Sequence, residues 1–151
     1  MMAQLPGWLR SATLLAINLL YLMVWGFAAL GKLQSGVPDW FAGKFGATFL
    51  ARVPGLAATF WILALSEALV AVLAAVALFR LEFRGKQPPV LLGTTLVGSL
   101  FVFLQLGFGQ WLTNEFAGAF QQFVYFGLTL VALHTVGALS SPTPNARPTG
   151  S

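Results

Sequence analysis

The stretch Trp61–Leu78, WILALSEALVAVLAAVAL, decides the class of this protein. Glu67 is the one charged residue in it. A helix needs roughly 20 mostly apolar residues to cross the hydrocarbon core of a bilayer, and a carboxylate that faces lipid at that depth is strongly unfavourable. The stretch therefore predicts a membrane-spanning helix that turns Glu67 toward other helices.

The composition excludes a water-soluble domain. Of the 151 residues, 58% are hydrophobic and 8% are charged, and the mean hydropathy is +0.82. Soluble domains carry about 25% charged residues, so a soluble chain of this size would lack the charges to cover its surface. The net charge of +4 does not point to nucleic acid, because the basic residues lie in short segments beside the apolar runs, as they do in membrane proteins.

The lack of cysteine and the single histidine, His134, restrict the chemistry that this chain can carry. Without cysteine there is no disulfide, no thiolate catalysis and no iron–sulfur ligation. The sequence also has no set of residues for acid–base or nucleophilic catalysis and no glycine-rich phosphate loop. It therefore predicts no metal site, no catalytic residues and no intrinsic cofactor.

Four apolar runs are long enough to span a membrane, at about residues 12–30, 56–79, 90–108 and 119–139. Each must be helical, because a spanning segment has to satisfy its backbone hydrogen bonds internally. The first run is longer than the roughly 7–15 residues of a signal-peptide core, so we expect it to be kept. The prediction is one all-α domain, residues 1–139, folded as an antiparallel four-helix bundle and followed by a disordered polar tail, residues 140–151.

The basic residues predict the orientation of the bundle in the membrane. Five of them share the side of both termini, and the opposite side has three. The first group is Arg10, Arg80, Arg84, Lys86 and Arg147, and the second is Lys32, Lys44 and Arg52. Because loops rich in lysine and arginine stay inside, both termini are expected in the cytoplasm.

The first loop carries four aromatic residues, Trp40, Phe41, Phe45 and Phe49, three of which recur every fourth position. Residues four apart share one face of a helix. The pattern predicts a short amphipathic helix that lies in the membrane interface. The alternative is that the same helix covers a pocket between the spans.

Glu67 lies on the same helical face as several alanines, and small residues mark the contacts between membrane helices. The other predicted helices each offer one face with polar or aromatic side chains. Together they form the candidate binding or proton site, namely Glu67, Tyr21, Trp25, Lys32, Gln105 and Tyr125. Lys32 is the cation placed to reach Glu67. Two interpretations of Glu67 stay open, a proton or ligand site and a hydrogen-bonding residue that only joins helices.

The segment WLRSATLLAINLLYLMVWGFAALGKL resembles the first span of the DoxX/DoxD-like membrane proteins, through Arg10 and the ending Gly31, Lys32 and Leu33. Glu67 matches an acidic residue in the second span of that family, and the short basic turn after that span also agrees. Ala71 and Ala75 stand where the family tends to have glycine. The resemblance extends over nearly the whole chain, from Arg10 to Leu139.

The resemblance implies redox or quinone-linked work at a membrane, and we expect that membrane to be a bacterial inner membrane. Members of the family include the membrane subunit of a thiosulfate:quinone oxidoreductase. We therefore expect a membrane subunit of a quinone-linked redox complex that has a polar pocket around Glu67, binds quinone, and depends on redox or membrane partner subunits or on a second copy of itself. The first alternative is an assembly scaffold without chemistry of its own, and the second is a proton-coupled transporter.

Overall fold

The computed structural model describes residues 6–84 and 87–140. Every regular element within those residues is helical, so the predicted all-α class is confirmed. The α-helices are α1 (Gly7–Ser35), α2 (Asp39–Phe45), α3 (Leu56–Phe79), α4 (Val90–Leu112) and α5 (Phe116–Ser140). Two short 3-10 helices lie in the connections, at Phe49–Ala51 and Glu82–Arg84. Four of the α-helices, all except α2, are long and apolar enough to cross a membrane.

Helix α3 coincides with the predicted span 56–79, and the other long helices extend beyond their predicted spans. Helix α1 begins at Gly7 instead of about residue 12, and α4 continues to Leu112 instead of about residue 108. The predictions followed the apolar runs, but a helix can extend its polar ends beyond the roughly 30 Å hydrocarbon core. Ser140 is helical although it was predicted as the start of the tail. Residues 141–151 lie outside the described part, so the predicted disorder of the tail stays a prediction.

The long helices pack as an antiparallel bundle in which each contacts the next along the chain, α1 with α3, α3 with α4 and α4 with α5. We call the end that holds the first loop, residues 36–55, and the α4–α5 turn the loop end. Large side chains on the outside of the bundle are more than half exposed, among them Phe27, Leu69, Phe101 and Leu128. Such a continuous apolar surface is rare on soluble proteins and suits contact with lipid.

A glycine stands at each end of the first loop, one after the last residue of α1 and one before the first residue of α3. Gly36 closes α1 with a φ of 62°, and its N–H donates to the carbonyl of Lys32 at 3.0 Å. Gly55 precedes α3 with a φ of 101°. Residues with a side chain rarely adopt positive φ, whereas glycine does so without steric cost. These two residues therefore fix where the loop leaves the bundle and where it returns.

The side chain of Glu82 caps the N-terminus of α4, a contact that no sequence pattern predicted. The backbone N–H groups of Leu91 and Leu92 donate to its two carboxylate oxygens at 3.1 and 3.0 Å. The first N–H groups of a helix have no partner within the helix, and a negative charge there is favoured by the helix dipole. Glu82 stands nine and ten residues before these donors, so the short spacing that identifies a capping residue in a sequence is absent.

Close packing between α3 and α4 depends on Gly98. A Cβ atom on Gly98 would lie 2.9 Å from Cγ2 of Val70, a buried and rigidly branched side chain. We expect Gly98→Val to lower the free energy of unfolding by about 1–3 kcal/mol, because the added side chain must push the helices apart. Thermal unfolding of the purified protein in detergent measures the change.

Two further variants check the cause of that loss. Gly93→Val lies on the same helix, and a Cβ there meets no atom within 4 Å, so it should leave the unfolding temperature unchanged. Adding Val70→Ala to Gly98→Val should recover part of the stability. Equal losses for Gly98→Val and Gly93→Val would contradict the packing explanation.

Candidate functional site

A cavity of about 520 Å³ lies at the loop end, below α2 and between α1, α3 and α4. Its wall is mainly aromatic and aliphatic, with Trp40, Phe41, Phe45, Phe60, Leu63 and Phe108 among the lining residues. The polar groups that line it include Lys32, Lys44, Gln105 and Gln110. A mostly apolar cavity of several hundred Å³ with a few polar groups is typical of a small-molecule site.

Lys32 and Glu67 form an ion pair at the wall of this cavity. Nζ of Lys32 donates to both carboxylate oxygens of Glu67, at 2.8 Å each. The Glu67 side chain is 1% exposed and the Lys32 side chain 26% exposed. Lys32 lines the cavity and Glu67 lies behind it. Because Lys32 also stands in the last turn of α1, its positive charge is favoured by the helix dipole.

The ion pair shows the direction of the Glu67 side chain. Glu67 is turned into the bundle, as predicted, and the cation that neutralises it is Lys32, as the sequence suggested. Glu67 does not reach the cavity with its own oxygens. Of the two residues, Lys32 is the one that lines the cavity, and Glu67 holds its ammonium in place.

Helix α2 covers the cavity with two of its aromatic rings. Phe41 and Phe45 are buried, with ring centroids 4.6 Å apart, and the Phe41 ring lies 5.4 Å from that of Phe60 on α3. Trp40 is 62% exposed and Phe49 is 55% exposed. The four aromatic residues therefore divide into a buried pair, Phe41 and Phe45, and a mostly exposed pair, Trp40 and Phe49.

The first-loop helix is shorter than predicted. Helix α2 ends at Phe45 and the chain turns at Gly46, so Phe49 begins a separate 3-10 helix. A Cβ on Gly46 would lie 2.5 Å from the carbonyl oxygen of Ala42, which explains why the turn requires glycine. The placement of these aromatics in a membrane interface stays a prediction, and the contacts of Phe41 and Phe45 favour the alternative of a cover over a pocket.

Lys44 connects α2 to the end of α4 and to the α4–α5 turn, on the far side of the cavity. Its Nζ lies 2.7 Å from Oε2 of Glu115 and 3.3 Å from Oε1 of Gln110. Glu115 belongs to the α4–α5 turn and its side chain is half exposed. The partners are 71 residues apart in the sequence, and no local pattern pointed to this contact.

Tyr21 and Trp25 lie in the packed interior and do not line the cavity. The hydroxyl of Tyr21 donates to Oγ1 of Thr129 on α5 at 2.7 Å. Nε1 of Trp25 donates to Oγ of Ser99 on α4 at 2.7 Å. These two hydrogen bonds connect α1 to the helices that follow α3 in the chain. In the structure, both candidates join helices.

Gln105 and Tyr125 complete the set of predicted site residues. Gln105 lines the cavity, and its Nε2 donates to Oγ of Ser66 on α3 at 3.3 Å. Tyr125 is partly exposed on α5, away from the cavity, where its hydroxyl accepts a hydrogen bond from Gln121 at 2.7 Å. Of the six predicted residues, Lys32 and Gln105 thus line the cavity, and Glu67 is buried next to Lys32 without lining it.

Asn18 is a buried polar residue that was not among the candidates. In the amide orientation that satisfies both of its polar atoms, it donates to the carbonyl of Ala74 at 2.9 Å and accepts from the N–H of Leu78 at 3.1 Å. It therefore binds the backbone of α3 near the end opposite to the cavity. These two hydrogen bonds connect α1 to α3.

The described residues contain no group of three or more His, Cys, Asp or Glu side chains that could hold a metal ion. His134 is exposed on α5. No protein-family model, curated protein or solved structure matches the chain. The DoxX/DoxD resemblance therefore stays a prediction that rests on the residues that carry it.

The geometry defines a class of protein. Four helices long and apolar enough to cross a membrane form a bundle, and a covered apolar cavity with an ion-paired lysine in its wall lies at one end. The described residues thus form a small helical bundle that is compatible with an integral membrane protein, and the apolar cavity is its candidate binding site.

Proposed function

We propose that the chain is a DoxX/DoxD-like membrane protein that binds a quinone in the covered cavity and acts as the membrane subunit of a quinone-linked redox complex. The observation that carries the proposal is the Lys32–Glu67 ion pair at the wall of an aromatic cavity between helices. The resemblance in sequence points in the same direction.

The charges around the cavity favour a neutral ligand with acceptor oxygens. Glu67 already neutralises Lys32, so an anionic ligand would have to compete with a buried carboxylate for the same ammonium. A cationic ligand would be repelled by Lys32. A quinone carbonyl can accept a hydrogen bond from Lys32 while the ion pair persists, and hydrogen bonds to charged donors are stronger than neutral ones.

The residues take different roles in this proposal. Lys32 contacts the head group, Gln105 offers a second side-chain amide from α4, and the rings of Phe41, Phe45 and Phe60 pack against the ring and tail. Glu67 is a positioning residue that holds Lys32. Electrons for any reduction come from a partner subunit, and this chain contributes the binding and orientation of the ligand.

The finer location is part of the same proposal. The resemblance supports a bacterial inner membrane, and the excess of lysine and arginine at the terminal end supports a cytoplasmic position of both termini. The loop end with its cavity then lies at the outer side of that membrane.

A second candidate is the scaffold, which one observation favours. In the most apolar 18-residue stretch of α5, 17% of the residues are buried. The corresponding shares are 28% in α1, 33% in α3 and 39% in α4. A helix with so large an outward face offers room for a span of another subunit. In that case substitutions in the cavity would change no ligand affinity.

Binding of a short-chain benzoquinone tests the proposal. Trp40 lines the cavity, so a bound quinone should quench its fluorescence in protein reconstituted in nanodiscs. The double variant of Lys32→Met with Glu67→Met should raise the Kd by about tenfold or more, because a hydrogen bond to a charged group contributes about 1.5–3 kcal/mol. Removing both charges avoids leaving either one unpaired.

Tyr125→Phe is the matched control, because Tyr125 lies outside the cavity and the change removes only a hydroxyl. It should bind the benzoquinone as the wild type does. Unchanged affinity in the double variant, or no saturable quenching in the wild type, would reject the quinone site and favour the scaffold.

A further inference from the structure

Segment 37–54, here called the cover, forms one side of the cavity, which stays partly open to the outside, and is attached to the bundle at two glycines. Gly36 and Gly55 stand at its two ends with φ values of 62° and 101°. A Cβ on either would meet no atom within 4 Å, so glycine is required there for its backbone conformation and not for space. The cover is therefore joined to α1 and α3 at residues with wide conformational freedom.

The apolar contacts of the cover are separate from the main core. Phe41, Phe45 and Phe60 form their own cluster of buried residues, with Leu50 and Leu56 packed against it. The main core contains other residues of α1, α3, α4 and α5. Since local opening follows groups of residues that pack together, the cover can leave the cavity without disturbing the core of the bundle.

A polar contact holds the free middle of the cover. Lys44 of α2 binds Glu115 and Gln110 across the cavity, at 2.7 and 3.3 Å. Half of the Glu115 side chain is exposed, as is about a quarter of the Lys44 side chain. Ion pairs with this exposure are weak and are screened by salt. Such a contact adds little to the free energy of closing and can break and re-form readily.

We propose that segment 37–54 is a gate for the cavity and that the Lys44–Glu115 ion pair sets how often the gate opens. A ligand from the lipid phase would enter at the loop end when this pair breaks. The biological meaning of the gate rests on the proposed quinone site, but its opening can be measured with no ligand present.

Cysteine labelling tests the gate directly, because the chain has no cysteine of its own. Leu63 lines the cavity on α3, and Leu63→Cys places a thiol behind the cover. We expect Glu115→Gln to speed the reaction of this thiol with a small maleimide by about two- to fivefold, the factor that an exposed ion pair supplies. High salt should speed the reaction in the native background and have little effect beside Glu115→Gln.

Two controls make the test specific. Ala58→Cys is exposed on the same helix and should react at the same rate in both backgrounds. Exchanging the charges, with Lys44→Glu and Glu115→Lys together, should restore slow labelling of Leu63→Cys. The proposal is wrong if Glu115→Gln leaves the rate at Leu63→Cys unchanged, or if it raises the rate at Ala58→Cys equally. Labelling and benzoquinone binding are independent, so failure of one is distinguishable from failure of the other.

Discussion

Lys32→Met alone should lower the free energy of unfolding by about 3–5 kcal/mol, the range for removing one partner of a buried ion pair. Glu67 is 1% exposed, and its carboxylate would be left without a cation in a low-dielectric interior. Because the Glu67 side chain is buried, its carboxylate cannot turn toward water. The loss should appear as a lower denaturation midpoint of the purified protein in mixed micelles and as a lower yield from membranes.

Two related variants separate charge from packing. Glu67→Met should cost less than Lys32→Met, because Lys32 is partly exposed at the end of α1 and its ammonium can turn toward water. The double variant should regain most of the stability, because replacing both charges by apolar side chains is often neutral or stabilising. If the double variant is as unstable as Lys32→Met, the loss does not come from an unpaired charge and this explanation is wrong.

Trp25→Ala should be the most damaging truncation in the packed interior, with a loss of about 3–5 kcal/mol. Trp25 is 1% exposed, and its ring lies 4.8 Å from that of Phe103, centroid to centroid. Its indole also donates to Ser99. Removing the ring opens a cavity where α1 meets α4. Chemical denaturation followed by circular dichroism measures the change.

Trp25→Phe and Trp8→Ala are the matched controls. Trp25→Phe keeps an aromatic ring in place and should lose distinctly less than the alanine variant. Trp8 is 71% exposed at the start of α1, so Trp8→Ala should shift the free energy of unfolding by no more than about 0.5 kcal/mol. Similar losses for Trp25→Ala and Trp8→Ala would show that the indole does not hold α1 to α4.

The spans and the burial of Glu67 could be predicted because each depends on local information. The apolar run at 56–79 coincides with α3, since the cost of an unsatisfied backbone in lipid leaves a helix as the single solution. Small residues near Glu67 indicated the packed face, and Ala64 is fully buried there. Ala68, Ala71 and Ala75, which were expected on the same face, are only partly buried. The partnership with Lys32 followed from the scarcity of cations near the acid.

The position of the cavity could not be predicted, because it depends on how each helix is rotated against its neighbours. Helical periodicity predicts which face of its own helix carries Tyr21, Trp25 or Tyr125. It does not predict which neighbouring helix that face contacts. Tyr21 reaches Thr129, which is 108 residues away, and Tyr125 turns to Gln121 on its own helix.

The Lys32–Glu67 pair also bears on how the chain is synthesised. Its two residues belong to α1 and α3, the first two spans in chain order, and the N-terminal part of a chain leaves the ribosome first. The carboxylate can therefore meet its cation when the second span enters the membrane, before α4 and α5 join the bundle. The costliest group in the bundle is neutralised within the first hairpin, and the later spans add contacts through the uncharged Tyr21 and Trp25.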